Sequence, residues 1–462
     1  MIIVRSCLCV LLLCAYNLAY AQAPKPSPTA RQQGAPGGFF DVGEDRSVSA
    51  GASDLPLVEP YLAVNPKDSN NMLAAAMVVT RPDMSSSDCS AFTTFDGGRT
   101  WERHDFGLRS AADAWVAYLP DGTAVLSVLE ITESDETPLL IFRSADGGRT
   151  WPGKPTSLGN GHDHPTLLVD GTSRRFAGSL YAVAGRSWKN SSGKSRSAIF
   201  VSRSADGGLS FQEPAHVILS NLSYEAHNPA VSRDGTLLVP FADHRRRGDR
   251  RRLERQRDWL ITSADGGKTF TEPLLISESC SGAGGWASVV AAVAEGPFRD
   301  RVYHVCAANQ FNGIQVRHSD DRGEKWSDPV RVDAPGNFEP YTRTPAMTVN
   351  RDGIVGVAWY DGRNDPSPIK GAFRCQDVYF TASVDGGETF LPEVKVSAKH
   401  TCPASPQNVQ TALRFPAGGE YIGMVATPDG SFHILWPDNR SGTYQLRFVT
   451  AKVNAKGAHG RG

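Results

Sequence analysis

Net charge is nearly absent: 48 Lys and Arg stand against 49 Asp and Glu, which leaves −1 over 462 residues. That balance excludes a general attraction to nucleic acid or to an anionic membrane surface. Beyond the N-terminus no apolar run is long enough for a membrane span. No C-x-x-C occurs after residue 21, so neither a thiolate zinc site nor a thioredoxin-like motif is expected, and no motif implies a cofactor. Methionine is scarce, with six in all, whereas glycine (45) and proline (30) are abundant. That composition suits many short strands joined by tight turns rather than helices.

The first residues read as an export signal. Arg5 supplies the charge, Cys7 to Ala15 a short apolar core, and Ala19-Tyr20-Ala21 a small-residue cleavage site. A lipoprotein reading through Leu11-Leu12-Leu13-Cys14 is disfavoured, because a bulky Leu precedes the Cys. Residues 22–38 are rich in Pro and Gly and are expected to be a disordered leader, with a flexible tail over 453–462. The expected location is secreted or periplasmic, and the expected state a monomer.

The octet "SADGGRTW" (144–151) recurs. "TFDGGRTW", "SADGGLSF", "SADGGKTF", "SDDRGEKW" and "SVDGGETF" place its aspartate at 96, 146, 206, 265, 321 and 385, with steps of 50, 60, 59, 56 and 64 residues. One four-stranded propeller blade with long loops has that length. Seven apolar hairpins lie between and around the six octets, from "PYLAVNPKDSNNMLAAAMVV" to "YIGMVATPDGSFHILWPDNR". After the last, "TYQLRFVTAKV" offers one more strand, and "GFFDVGEDRSVS" (38–49) can supply the missing outer one. The expected fold is therefore an all-β propeller of four-stranded antiparallel blades spanning 39–452. Seven blades are favoured, with six as the alternative. Each octet falls in the turn between strands C and D. Its Gly pair permits positive φ, its Asp accepts the turn's N–H groups, and its Trp or Phe packs between sheets. Catalysis needs one site rather than six, so the octet is scaffolding.

These octets match the Asp-box (BNR) signature S-x-D-x-G-x-T-W/F, and the chain resembles the sialidase superfamily over roughly residues 55–450. The resemblance implies a funnel on the face opposite the Asp boxes, ringed by the starts of A strands and the ends of B strands. The A starts contribute Glu59, Asp163, His164, Glu225, His227, Tyr341, Arg343, Glu420 and Tyr421. The B ends contribute Arg81, Asp83, Arg186, Asp243, Arg245, Asp361, Arg363, Asp438 and Arg440.

Sialidases clamp a sugar carboxylate with three arginines, the first in F-R-I-P. Here Val58 occupies that arginine's register in "LVEPYLAV". In "YTRTPAMTV" Arg343 stands two before a Pro, and "GEYIGM" resembles the context of the sialidase nucleophile at Tyr421. Glu225 followed by Arg245 resembles the family's Glu-then-Arg order. The resemblance thus implies Tyr421 and Glu225 as catalytic, with Tyr341, His227 and Asp83 as further catalytic candidates. Arg343, Arg245, Arg363, Arg81, Glu59, Asp163, His164 and Arg440 are the candidates for binding substrate. The recurring D-x-R of "YDGR" and "PDNR" also reads as a repeat consensus that bridges neighbouring blades.

Metal ligation is not expected: His162 and His164, two apart on a loop with no further ligand cluster, read as loop polar groups. "HRRRGDRRRLERQRD" (244–258) carries eight arginines and reads as a solvated loop or a dock for an anionic glycan. Cys280 with Cys306, and Cys375 with Cys402, fall together on the funnel face and are expected to pair, leaving Cys89 over. The function expected is a glycoside hydrolase, sialidase-like, acting on acidic or terminal sugars. The alternatives are a polysaccharide lyase acting on uronate polymers and a non-catalytic glycan- or protein-binding propeller.

Overall fold

The computed structural model describes residues 38–454, except 50–53, 84, 109, 135, 172–174, 218–222, 245–255, 281–289, 293–295, 297, 309–312, 334–341, 367–374, 403–410 and 412–413. The expected signal, nearly all of the leader and tail, most of the arginine-rich loop, Arg245 and Tyr341 lie outside the described residues.

Seven antiparallel sheets form a ring, the seven-bladed propeller that the hairpin count favoured. Their inner strands are Leu57–Asn65, Ala111–Tyr118, His162–Val169, Ser223–Ala226 continued by Ala230–Val231, Val290–Ala292, Thr342–Val349 and Gly423–Ala426. The seventh blade takes its outer strand from the other end of the chain: Phe40–Val42 pairs with Gln445–Val453, setting Phe40 opposite Val453. Blades stack face to face, so their middle strands are apolar on both sides and do not alternate. Asp68–Val79 is buried continuously from Asn71 onward. Between blades 6 and 7, Ala358 and Phe380 pack on Phe432 and Ile434; between blades 7 and 1, Leu435 and Phe448 pack on Leu57 and Met72.

The Asp boxes sit in the C–D turns and satisfy themselves. The Asp146 carboxylate accepts the Arg149 and Thr150 N–H groups at 3.0 and 2.9 Å and the Thr150 hydroxyl at 2.6 Å. The Ser144 hydroxyl donates to Asp146 at 2.6 Å and accepts the Gly148 N–H at 2.8 Å. Burial alone would raise this acid, but the hydrogen bonds from Ser144 and Thr150 hold it at about 2. The glycines also permit docking on the preceding blade. Asn71 and Thr93 of blade 1 each donate at 3.0 Å to the carbonyls of Gly147 and Gly148 in blade 2. A Cβ at Gly323 would lie 2.2 Å from Leu260.

Both expected disulfides form, Cys280–Cys306 and Cys375–Cys402, and Cys89 is a buried free thiol. Closing chain separations of 26 and 27 residues stabilises the fold by about 3.5 kcal/mol each in the chain-entropy account. Two disulfides fit an oxidising, extracellular setting. No helix among the described residues is long and apolar enough to cross a membrane.

Candidate functional site

The inner strands carry a recurrent irregularity at the funnel end. Glu59, Asp113, His164 and Thr344 have φ of 55, 51, 48 and 54°, a region non-glycine residues rarely enter. Each lies where the A–B ladder slips, between Val58 and Tyr61, Ala112 and Trp115, Asp163 and Thr166, or Arg343 and Ala346. Three of the four precede a proline: Pro60, Pro165 and Pro345. Proline has no N–H to leave unpaired, so a bulge is accommodated there without an orphan donor. Strain of this kind is on the order of 1–3 kcal/mol per residue and persists only where surrounding packing enforces it, typically at functional sites.

These bulges turn side chains from separate blades toward one another. The His164 N–H donates to Asp113 Oδ2 at 3.2 Å. His164 Nδ1 lies 3.2 Å from Asp163 Oδ1, and its Nε2 3.9 Å from Glu420 Oε2 of blade 7. Glu225 of blade 4 lies in the field of the same imidazole. The Tyr421 ring is edge-on to Trp115, 5.7 Å between centroids, and Trp115 stacks on Tyr61 at 3.5 Å. A Cβ on Gly419 would meet Glu59 Cγ at 2.3 Å, so that glycine allows blade 7 to close over blade 1.

Charge is crowded here. Burial pushes the Glu59 carboxyl well above the usual range, reinforced by Asp113 and Glu420. Burial likewise raises Glu225 strongly. Glu420 is raised less, since His164, Arg414 and Arg343 offset its burial. Burial opposes the charge on His164, yet Asp113 and Asp163 outweigh it and hold the imidazolium well above its ordinary value. Burial, then Asp113 and Glu59, keep the Tyr421 phenol protonated far past its usual range.

Of the residues expected from sequence, Glu59, Asp163, His164, Glu225, Glu420 and Tyr421 come together, with Arg343 beside them. Arg343 is buried, its Nε 3.4 Å from the Thr344 hydroxyl, and its charge reaches Glu420, Tyr360 and Tyr444. His227 is buried in the break between the two inner segments of blade 4, its N–H donating to Pro240 O at 2.9 Å. Asp83 and Arg81 stand apart on the surface; Asp83 closes its own turn through the Ser85 N–H and hydroxyl at 3.0 and 2.6 Å.

The D-x-R arginines differ from expectation in one respect: they close within their own blades rather than between blades. Arg363 pairs with Asp361 at 2.6 Å and with Glu393, and Arg440 pairs with Asp438 at 2.7 Å and Asp45 at 2.8 Å. The end of a B strand lies beside the outer strands of the same sheet, so the nearest carboxylates belong to that blade.

Two residues of the candidate site escaped the sequence. Asp113 stands in the register of Glu59 and His164, but Ala114 follows it where the others have proline, and alignment on that bulge would have found it. Arg414, whose charge reaches Glu59, Asp113 and Glu420, lies in a loop without repeat register. His162, by contrast, turns away: its Nε2 lies 3.3 Å from Leu158 O and its ring packs on Phe200 at 4.4 Å.

The profile of the family described as BNR repeat-like domain matches residues 55–292. No curated protein sequence matches the chain. Among solved structures, a protein of unknown function from Dyadobacter fermentans is similar at 14% identity and TM-score 0.49, over 90% of this chain and 100% of that one. A Hadza microbial sialidase is similar at 16% identity and TM-score 0.47, over 84% of this chain and 75% of that one. A Trypanosoma rangeli sialidase mutant displaying trans-sialidase activity is similar at 15% identity and TM-score 0.45, over 76% and 55%.

Proposed function

The chain belongs to the BNR repeat-like family, and from that premise we propose that it is an exported glycoside hydrolase acting on a terminal sugar seated in the funnel. The observation that carries the reading is the approach of Glu225 and Glu420 to one imidazole from blades 4 and 7. Glycosidic hydrolysis needs two carboxyl groups in unlike environments, one to protonate the leaving oxygen and one to act in the ionised form. Glu420 sits against three cations, His164, Arg414 and Arg343, which suits the ionised partner. Glu225 is pushed further up by its burial, with Glu420 and Asp163 adding to it, and suits the proton donor. Tyr421, half-buried and backed by the buried Trp115, offers aromatic surface to a sugar ring.

A neutral sugar is favoured over an acidic one. Arg363 and Arg440 are already taken up by carboxylates, and Val58 stands where a clamp would begin. A uronate lyase is less well supported for the same reason, and because His164 is held protonated and is a poor base.

The test is a panel of neutral aryl glycosides, an aryl sialoside and uronate polymers, run with two variants. Glu225→Gln is expected to retain activity on a 2,4-dinitrophenyl glycoside, whose leaving group needs no proton, and to lose it on a phenyl glycoside. Glu420→Gln is expected to lose both. Silence of the parent protein on every substrate, or unsaturated products from the uronates, overturns the hydrolase reading.

A further inference from the structure

We propose that His164 is a positioning residue, held from blades 2 and 3, whose imidazolium ties Glu225 and Glu420 to one charge and so sets the pH range in which that pair works. Three contacts fix the residue. Its backbone N–H donates to Asp113 Oδ2 at 3.2 Å, its Nδ1 lies 3.2 Å from Asp163 Oδ1, and its Nε2 lies 3.9 Å from Glu420 Oε2. It sits at φ 48° ahead of Pro165, on the bulge where the A–B ladder of blade 3 slips between Asp163 and Thr166. With a carboxylate at each ring nitrogen, turning the imidazole away would cost a charged contact on both sides.

Asp163 takes no direct part in the proposed hydrolysis, and its side chain is 71% exposed, so it acts through this ring. Burial by itself would strip the imidazole of its charge, and Asp113 and Asp163 together prevent that. The other groups in its field come from three further blades. Glu59 stands on blade 1, Glu225 on blade 4, and Glu420 and Tyr421 on blade 7. The cations beside it are Arg414, whose charge reaches Glu59, Asp113 and Glu420, and Arg343, whose charge reaches Glu420.

His164 is the charge that the two carboxyl groups share. At Glu420 it leads the offset to burial, and Arg414 and Arg343 add to it. At Glu225 it again offsets burial, but the neighbours that follow, Glu420, Asp163 and Asp258, are acids that push the other way. Removing the imidazolium therefore moves both carboxyl groups upward. The ionised partner then forms at higher pH, and the proton donor keeps its proton to higher pH, so a bell-shaped profile shifts as a whole instead of losing one limb.

The consequence for turnover rests on the hydrolase reading; the coupling of charges does not, and two measurements keep them apart. NMR titration of the full chain with labelled histidine, the His164 signal assigned through its backbone correlations, reads the coupling with no sugar present. Its midpoint is expected to fall by about one pH unit in Asp163→Asn and in Glu420→Gln. A midpoint that stays in place in either variant overturns the proposal. The second measurement is the pH profile of kcat/KM on the aryl glycoside that the parent hydrolyses fastest. His164→Asn, in which the new residue tolerates positive φ, is expected to move both limbs up by about one pH unit. A profile lowered in height but unmoved in pH leaves His164 a merely structural role and overturns the proposal as well. If the parent hydrolyses nothing, the hydrolase reading fails and the titration decides the coupling; if His164→Asn does not fold, the titration again decides.

Discussion

The two ends of the ring use the same carboxyl groups in opposite ways. At the Asp-box end each acid is saturated by its own turn: Asp206, bonded by the Ser210 hydroxyl and N–H, is held at about 2. At the funnel end Glu59 and Glu225 are desolvated, surrounded by other acids and pushed upward. Repetition explains the first, since a motif copied into every blade can only be rewarded for what it does locally. Convergence explains the second, since residues that meet at the axis are each single copies. A carboxyl stabilised in its charged form supports the fold; one destabilised in that form is available for chemistry.

The largest effect that would sharpen this contrast is on turnover. Glu420→Gln is expected to lower kcat by about 10²–10⁴-fold with an unchanged circular dichroism spectrum. Asp146→Asn should leave kcat within twofold, and equal losses in both would erase the distinction. Next in size is stability. Asp146→Asn removes the charge that holds four hydrogen-bond partners and should lower Tm by a few degrees at pH 7.

The pH dependence should run in opposite directions at the two ends. The folded pKa of Asp146 is lowered to about 2, so its contribution is present above pH 3.8 and is lost as pH falls toward 2. The deficit of Asp146→Asn is therefore expected to shrink in acid. The folded pKa of Glu225 is raised, so its contribution is present below 4.5 and is lost as pH rises through the folded value. Glu225→Gln is accordingly expected to gain Tm over the parent at pH 8 and to match it near pH 4, as read by calorimetric scans. A deficit for Glu225→Gln at pH 8 would break the comparison. The smallest effect expected is at Asp83, an exposed turn residue whose replacement by Ala should leave kcat/KM within twofold and Tm within about a degree.

Much of the scaffold was legible because its cause is local. "SADGGRTW" forms its turn from eight consecutive residues, so its recurrence counts blades, and the hairpin left over at the C-terminus called for a strand from residues 38–49, which Phe40–Val42 supplies. Cys280 with Cys306, and Cys375 with Cys402, could be paired once the blade topology put each couple on one face. The site was legible only in part. Topology named Glu59, His164, Glu225 and Tyr421 as neighbours of the axis, but it named Arg81, Asp83, Arg363 and Arg440 with equal force. Position around a ring does not say which way a side chain turns. Arg363 and Arg440 found carboxylates within their own sheets.

The amino-acid order by itself determined the octet turns, the blade period, the antiparallel sheets and the cysteine partners, because each depends on contacts within a blade or between adjoining segments. Only the closed ring decided that Asp113, without the proline that marks its counterparts, would face His164 some fifty residues on. The same closure brought Glu420 to that imidazole from the far end of the chain. Those meetings depend on strained bulges that pay in backbone energy for side-chain direction, and strain of that kind is held by the packed neighbours of all the blades at once.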